Sequence, residues 1–295
     1  MKKIGFWLGL VMAGLMSASA QVSVEVVQDQ DQFLSGEAIL TAVRITNHSG
    51  QALELGTDDD WLNFSLETRG TGVVARRGDV PVLGAFTLES SKVATKWVNL
   101  TPYFAVGRPG RYSITATVRV KGWNRAFTSQ PKKFDIVDGA KLWEQEVGVP
   151  GSGGATNAPE VRKYILQEAN YLRTQLRLYL SITDASGARV YTVFSIGPMV
   201  SFGRPEPQVD KFSNLHLLFQ ERAHSFDYFV FNPQGGELVH EIYDYVDTRP
   251  RLQPDYDGKI IVKGGVLRQK PSEATAPPPP TETNAPTPAK GQKKK

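Results

Sequence analysis

The chain has 295 residues, 34 basic and 30 acidic side chains, a net charge of +4 and no cysteine. Disulfides and a lipid-modified N-terminal cysteine are thereby excluded, so stability must come from apolar cores. The positive excess is terminal: taking away Lys2, Lys3 and the five lysines and two glutamates that follow Arg268 leaves a body of net charge −1, which argues against a groove tracking nucleic-acid phosphates.

In chain order, residues 1–20 read as a secretory signal peptide. Lys2 and Lys3 form a positive start, Ile4 to Met16 an uncharged apolar run, and Ala18-Ser19-Ala20 a small-x-small cleavage pattern. Cleavage is expected between Ala20 and Gln21. The run is short for a membrane anchor, which needs roughly 20 apolar residues, and no later stretch approaches that length. Three glycosylation sequons begin at Asn47, Asn63 and Asn99. They matter only in a host with the matching machinery. The short leader and missing cysteine suggest a bacterial chain, where such matches are chance.

Residues 21–138 form the first predicted module. Val22 to Val26, Ala38 to Thr46, Trp61 to Thr68 and Tyr112 to Val120 alternate with period two, and Gly, Pro, Asn and Asp clusters separate them. Such alternation marks half-buried strands. Trp61 falls with Asn63, opposite Leu62, Phe64 and Leu66. Residues 139–159 are expected to be a linker. They end in the Gly/Pro-rich run from Gly148 to Pro159, and Leu142-Trp143 closes the first module or packs between modules.

The second predicted module covers residues 160–268. Its start is ambiguous, because Val161, Tyr164, Ile165, Leu172, Leu176 and Tyr179 also fit one face of a helix. Leu176, Leu178, Leu180 and Ile182 alternate cleanly, however, and Asp184-Ala185-Ser186-Gly187 is a turn before the strand Arg189 to Ile196. A hairpin is the reading taken. Further strands follow at Leu215 to Gln220, Phe226 to Phe231, Leu238 to Val246 and Lys259 to Lys263. Residues 269–295 are a Pro-rich, polyproline-like tether closed by Lys293-Lys294-Lys295, which would touch anionic envelope polymers by charge. The expected fold is all-β: two sandwich-like modules joined by a Gly/Pro linker, with a disordered tail.

Leu34-Ser35-Gly36-Glu37 followed by Val43 to Gly50, and Pro109-Gly110-Arg111-Tyr112 before an alternating strand, resemble strand entries of Ig-like β-sandwich domains of exported bacterial proteins. The resemblance covers the first module alone, and the two cysteines of antibody-type domains are absent. It implies a sandwich, a role in adhesion or docking, and a tyrosine hydroxyl bracing a loop. It transfers no binding residue.

No chemical motif is complete in the sequence. Ser152, in Pro150-Gly151-Ser152-Gly153-Gly154, misses the nucleophile-elbow spacing. His240-Glu241-Ile242-Tyr243-Asp244 has Asp where a helical zinc site needs His. His216, His224 and His240 would bind zinc only if their strands converged. Asp58-Asp59-Asp60 lacks the alternating acids and Gly of a calcium loop. Asp244, Asp247, Asp255 and Asp257 would serve a glycoside hydrolase only at about 5 to 10 Å separation. Tyr243, Tyr245 and Tyr256, with Arg249 and Arg251, are contact-surface residue types, although Tyr243 and Tyr245 share a strand face suited to packing. No catalytic, cofactor or metal residue follows from the sequence. The expectation is an exported, non-catalytic binding or structural protein of the envelope or periplasm. Its partner would be an envelope protein or polysaccharide and not nucleic acid. The alternatives are a carbohydrate-binding accessory module and a hydrolase using second-module carboxylates.

Overall fold

The computed structural model describes residues 21–69, 72–82, 84–149 and 160–269. Residues 1–20, with the expected leader and its Ala20 cleavage position, the run 150–159 that holds Ser152, and the tail from Lys270 lie outside the described residues. Among the described residues the regular structure is all β, apart from two single turns of 3-10 helix at Thr101–Tyr103 and Lys121–Trp123.

The first module contains β1 (Val22–Val27), β2 (Gln32–Leu34), β3 (Leu40–Asn47), β4 (Leu53–Leu55), β5 (Leu62–Thr68), β6 (Gly72–Val73), β7 (Phe86–Leu88), β8 (Val93–Asn99), β9 (Gly110–Val120), β10 (Arg125–Thr128) and β11 (Lys132–Val137). One sheet runs β1-β3-β8. The other runs β2-β11-β9-β5-β6, with β10 also paired to β9. The register puts Leu62, Phe64 and Leu66 opposite Val118, Ala116 and Ile114, and all six are buried facing β3's Val43 and Ile45. Full burial of each such aliphatic side chain stabilises by about 1.5–3 kcal/mol. The short β4–β7 pair adds Leu53, Leu55 and Leu88 to the same core.

Trp61 departs from the alternation. It is 2% exposed, donates its indole N–H to Val82 O at 2.9 Å and meets Phe86 edge-on. It lies at the entrance to β5, where the segment around Val80 and Val82 folds back over it. Tyr112 donates its hydroxyl to Arg108 O at 2.7 Å, and so ties down the loop that leads into β9.

The second module contains β12 (Ala140–Gly148), β13 (Val161–Tyr171), β14 (Gln175–Asp184), β15 (Val190–Pro198), β16 (Glu206–Val209), β17 (Leu215–Arg222), β18 (Ser225–Phe231), β19 (Glu237–Asp244), β20 (Arg251–Pro254), β21 (Ile260–Lys263) and β22 (Val266–Leu267). It has three layers. The sheet β12-β13-β14-β15 packs on the sheet β16-β17-β18-β19-β22 through Tyr164, Leu166, Leu178 and Leu180 on one side and Leu217, Phe219, Phe229 and Phe231 on the other. The far face of the second sheet carries Leu218, Phe226, Tyr228 and Val230, which the β20–β21 hairpin covers with Leu252 and Ile260. Burial on both faces explains the continuous apolar runs of β17 and β18.

The expected linker is corrected by this arrangement. Residues 140–148 are a strand paired along β13, and Trp143 packs on the second module's core. Residues 150–159 therefore join two neighbouring strands of one sheet. The covalent joint between modules is only Asp138-Gly139. A Cβ at Gly139 would come within 3.0 Å of both Gln167 Cβ and Leu34 Cδ1, so the chain crosses between modules in close contact with each. The ambiguous start of the second module resolves as β13, whose Leu166 pairs with Leu180 of β14.

The modules meet along a small apolar seam of Leu34, Ala169, Tyr179 and Val193, with Val137 against it. Polar bonds flank it. Gln32, 5% exposed, donates to Asn170 O at 2.7 Å and accepts from Leu172 N at 3.0 Å. The flexible articulation expected between modules is replaced by this fitted contact.

Candidate binding cleft at the module seam

The residues singled out in the sequence do not converge. His216 lies on β17 beside Tyr228, on the face covered by β20 and β21. His240 lies on the opposite face, stacked on Phe229 with ring centroids 4.0 Å apart. His224 sits in a turn against Tyr245. Among the described residues no group of three or more His, Cys, Asp and Glu side chains suits a metal ion. Asp58 pairs with Lys121 at 2.7 Å and Asp60 with Arg119.

The second-module acids hold structure. Asp244 pairs with Arg268, and Asp255 accepts the amides of Asp257 and Lys259, each at 2.9 Å, around the β20–β21 turn. Asp247 and Asp257 are exposed. Tyr243 donates to Glu241 at 2.8 Å and meets Tyr228 edge-on. Tyr256 is fully exposed, Arg249 lies over the Phe226 ring and Arg251 pairs with Glu206.

One buried polar network was not foreseen. His216, 7% exposed, bonds Tyr228 OH through Nδ1 at 2.7 Å and Asp210 through Nε2 at 3.3 Å. Burial raises the Asp210 pKa. Bonds from the Asn214 side chain and amide, from His216 and from the Phe212 amide together outweigh it and hold the carboxyl below the usual aspartate range. Burial pushes the Tyr228 hydroxyl up to about 12. Asp210 orders the 210–214 turn through Phe212, Asn214 and His216.

An open concavity lies elsewhere, beside the seam. A cleft of about 620 Å³ has the first module on one side, with Gly36, Arg77, Thr101 and Phe104, and residues 188–193 of the second on the other. Thr101 builds the first wall: its hydroxyl accepts Ile39 N at 2.8 Å and donates to Glu37 O at 2.9 Å. Gly36 has φ +87°, and a Cβ there would approach Val193 Cγ2 to 3.2 Å. A side chain at this position is therefore strained and crowds the second wall.

The second wall is β15, the outer strand of its sheet. Tyr191 in it is covered by Arg162 and Arg189, whose guanidinium carbons lie 4.3 Å and 4.9 Å from the ring centre. Glu160 accepts from Arg162 at 2.8 Å; this bond, followed by one from Tyr191, holds its carboxyl below the usual glutamate range. Its charge also acts on Arg189.

Sequence reasoning missed the cleft. Its walls lie roughly a hundred residues apart in the chain, and neither wall has a motif. The one local signal was Gly36 in a turn followed by buried chain.

No family model and no curated protein sequence matches the chain. Among solved structures it is similar to Spo0M, a sporulation control protein from Bacillus subtilis, at 10% identity and a TM-score of 0.31, over 77% of this chain and 91% of that one. A likeness at that TM-score carries no argument about fold or function.

Proposed function

We propose that this is an exported, non-catalytic binding protein of the cell envelope, and that it engages a protein partner in the cleft beside the module seam. The observation that carries the reading is the cleft itself, a concavity of about 620 Å³ whose walls come from two modules fitted together by Gln32 and the Leu34–Tyr179 seam. Export rests on the leader's charge, apolar run and cleavage pattern. A non-catalytic role is supported by what the best-placed acids do: Asp210 and Asp255 hold turns, and Asp244 holds Arg268.

One observation favours a second reading, polysaccharide binding. Trp97 is 54% exposed on the outer face of the β1-β3-β8 sheet, paired across from Ala42 and near Leu40, itself 50% exposed. A flat aromatic of this kind can stack a sugar ring.

Co-sedimentation separates the two. Residues 21–295, a version ending at Arg268, a cleft variant Arg77→Glu/Arg189→Glu and Trp97→Ala are each spun with separated envelope fractions and polysaccharides. Retention lost only in the cleft variant is expected. Retention lost only in Trp97→Ala would replace the proposal with the sugar-binding reading. Retention lost only with the tail, and weakened by salt, would reduce the role to electrostatic tethering.

A further inference from the structure

We infer that the occupant of this cleft is an extended acidic segment of the partner, added as a further strand along the free edge of β15. The inference rests on the cleft being the binding surface and specifies the chemistry it accepts.

Six consecutive residues, Ala188 to Val193, line the cleft. Ala188 and Arg189 lie in the turn before β15, and Val190 to Val193 open this outer strand, with a bulge at Tyr191, so the cavity runs along the first residues of a strand whose far edge is unpaired. β15 pairs with β14 alone, and among the described residues no backbone group of the first module bonds to its other side. That row of N–H and C=O groups has the spacing of a polypeptide, and strand addition satisfies such a row with main-chain bonds.

Charge selects the segment. The charged side chains lining the cleft are Arg77 and Arg189, and no carboxylate lines it. Arg77 is exposed and has no ion pair among the described residues. Arg189 lies over Tyr191, with the Glu160 carboxylate acting on it electrostatically. Phe104 and Val106 offer an apolar floor. A strand with acidic residues on one face and apolar residues on the other matches both surfaces. A sugar fits less well, because the aromatic ring in the wall, Tyr191, is already covered by two guanidinium groups.

The test is fluorescence anisotropy with the mature chain and short labelled peptides. One alternates Glu and Val, one alternates Lys and Val, and one repeats the Glu–Val sequence with alternate backbone nitrogens methylated. An acidic polysaccharide is run beside them. The Glu–Val peptide is expected to bind and the Lys–Val peptide not. Methylation, or Arg77→Glu/Arg189→Glu in the protein, should each weaken binding about tenfold or more. Equal binding of both charge types, or indifference to methylation, overturns strand addition. Binding of the polysaccharide without the peptide assigns the site to an anionic glycan and overturns the inference as well. If no peptide binds but the double variant loses its envelope retention, the inference falls and the cleft remains the binding surface. If retention persists in the double variant, both fall. Both arginines are exposed, so circular dichroism and the melting temperature should match the parent's.

Discussion

Tyr112 and Asp227 show how single side chains hold this fold in opposite ways. The Tyr112 hydroxyl donates to Arg108 O, and the ring stacks on Phe134 at 5.5 Å. Tyr112→Phe keeps the packing and removes the bond, so a loss of about 0.5–1.5 kcal/mol in urea unfolding is expected. Asp227 is a buried carboxylate on β18. Burial, and after it the nearby Glu221 charge, raises its pKa, opposed by His240 at 3.7 Å and by Arg268. The folded protein thus keeps this proton to higher pH than the unfolded chain does. Raising the pH through that window deprotonates the unfolded chain first, which favours unfolding and costs stability. Asp227→Asn is therefore expected to raise the urea midpoint at neutral pH. The gain should fade as the pH falls to the ordinary aspartate value of roughly 3.9. A midpoint lowered at neutral pH would show that the ionised carboxylate is needed by His240 and Arg268.

The hairpin between β13 and β14 turns through Leu172 and Arg173, at φ +48° and +62°, closed by Thr174 N to Tyr171 O at 3.1 Å. Both angles favour Asn and Gly over branched or long side chains. Leu172→Asn with Arg173→Gly should stabilise by about 0.5–1 kcal/mol in thermal unfolding, while the Leu172 amide still reaches Gln32. Elements of this kind also show what the sequence disclosed. β5, β9, β14 and β17 were legible because one or both faces meet a core. β12 was not: it is an outer strand whose side chains are mostly exposed, with Val147 the residue buried in it, so Lys141, Glu144 and Glu146 break any alternation. Charged residues on an outer strand protect it from stray pairing, and the same charges disguise it as linker. β16 and β20 each carry a proline and span four residues, too short for a periodic signal.

At the scale of the molecule, the seam sets the geometry of the cleft. Gln32 bonds the second module twice, and Gln32→Ala leaves Asn170 O and Leu172 N without those partners. A stability loss of about 1–3 kcal/mol is expected, with faster hydrogen exchange at the Leu172 amide as the specific readout. Loss of stability with unchanged exchange there would mean that the seam is held by Leu34, Tyr179 and Val193 instead. The cleft was illegible in the sequence because Arg77 and Arg189 meet only through the stacking of one module on another. Their separation along the chain contains no trace of it.

The Gly/Pro-rich run between Val149 and Glu160 leaves and re-enters one hairpin, closed by Val149 N to Glu160 O at 2.8 Å. A protease that nicks the chain there yields two fragments clasped along the β12–β13 ladder, which should co-elute in native gel filtration and part only in denaturant. The same position suits the new ends of a split reporter or a permuted chain. What reads as the hinge between two halves is the place where this protein can be cut without coming apart.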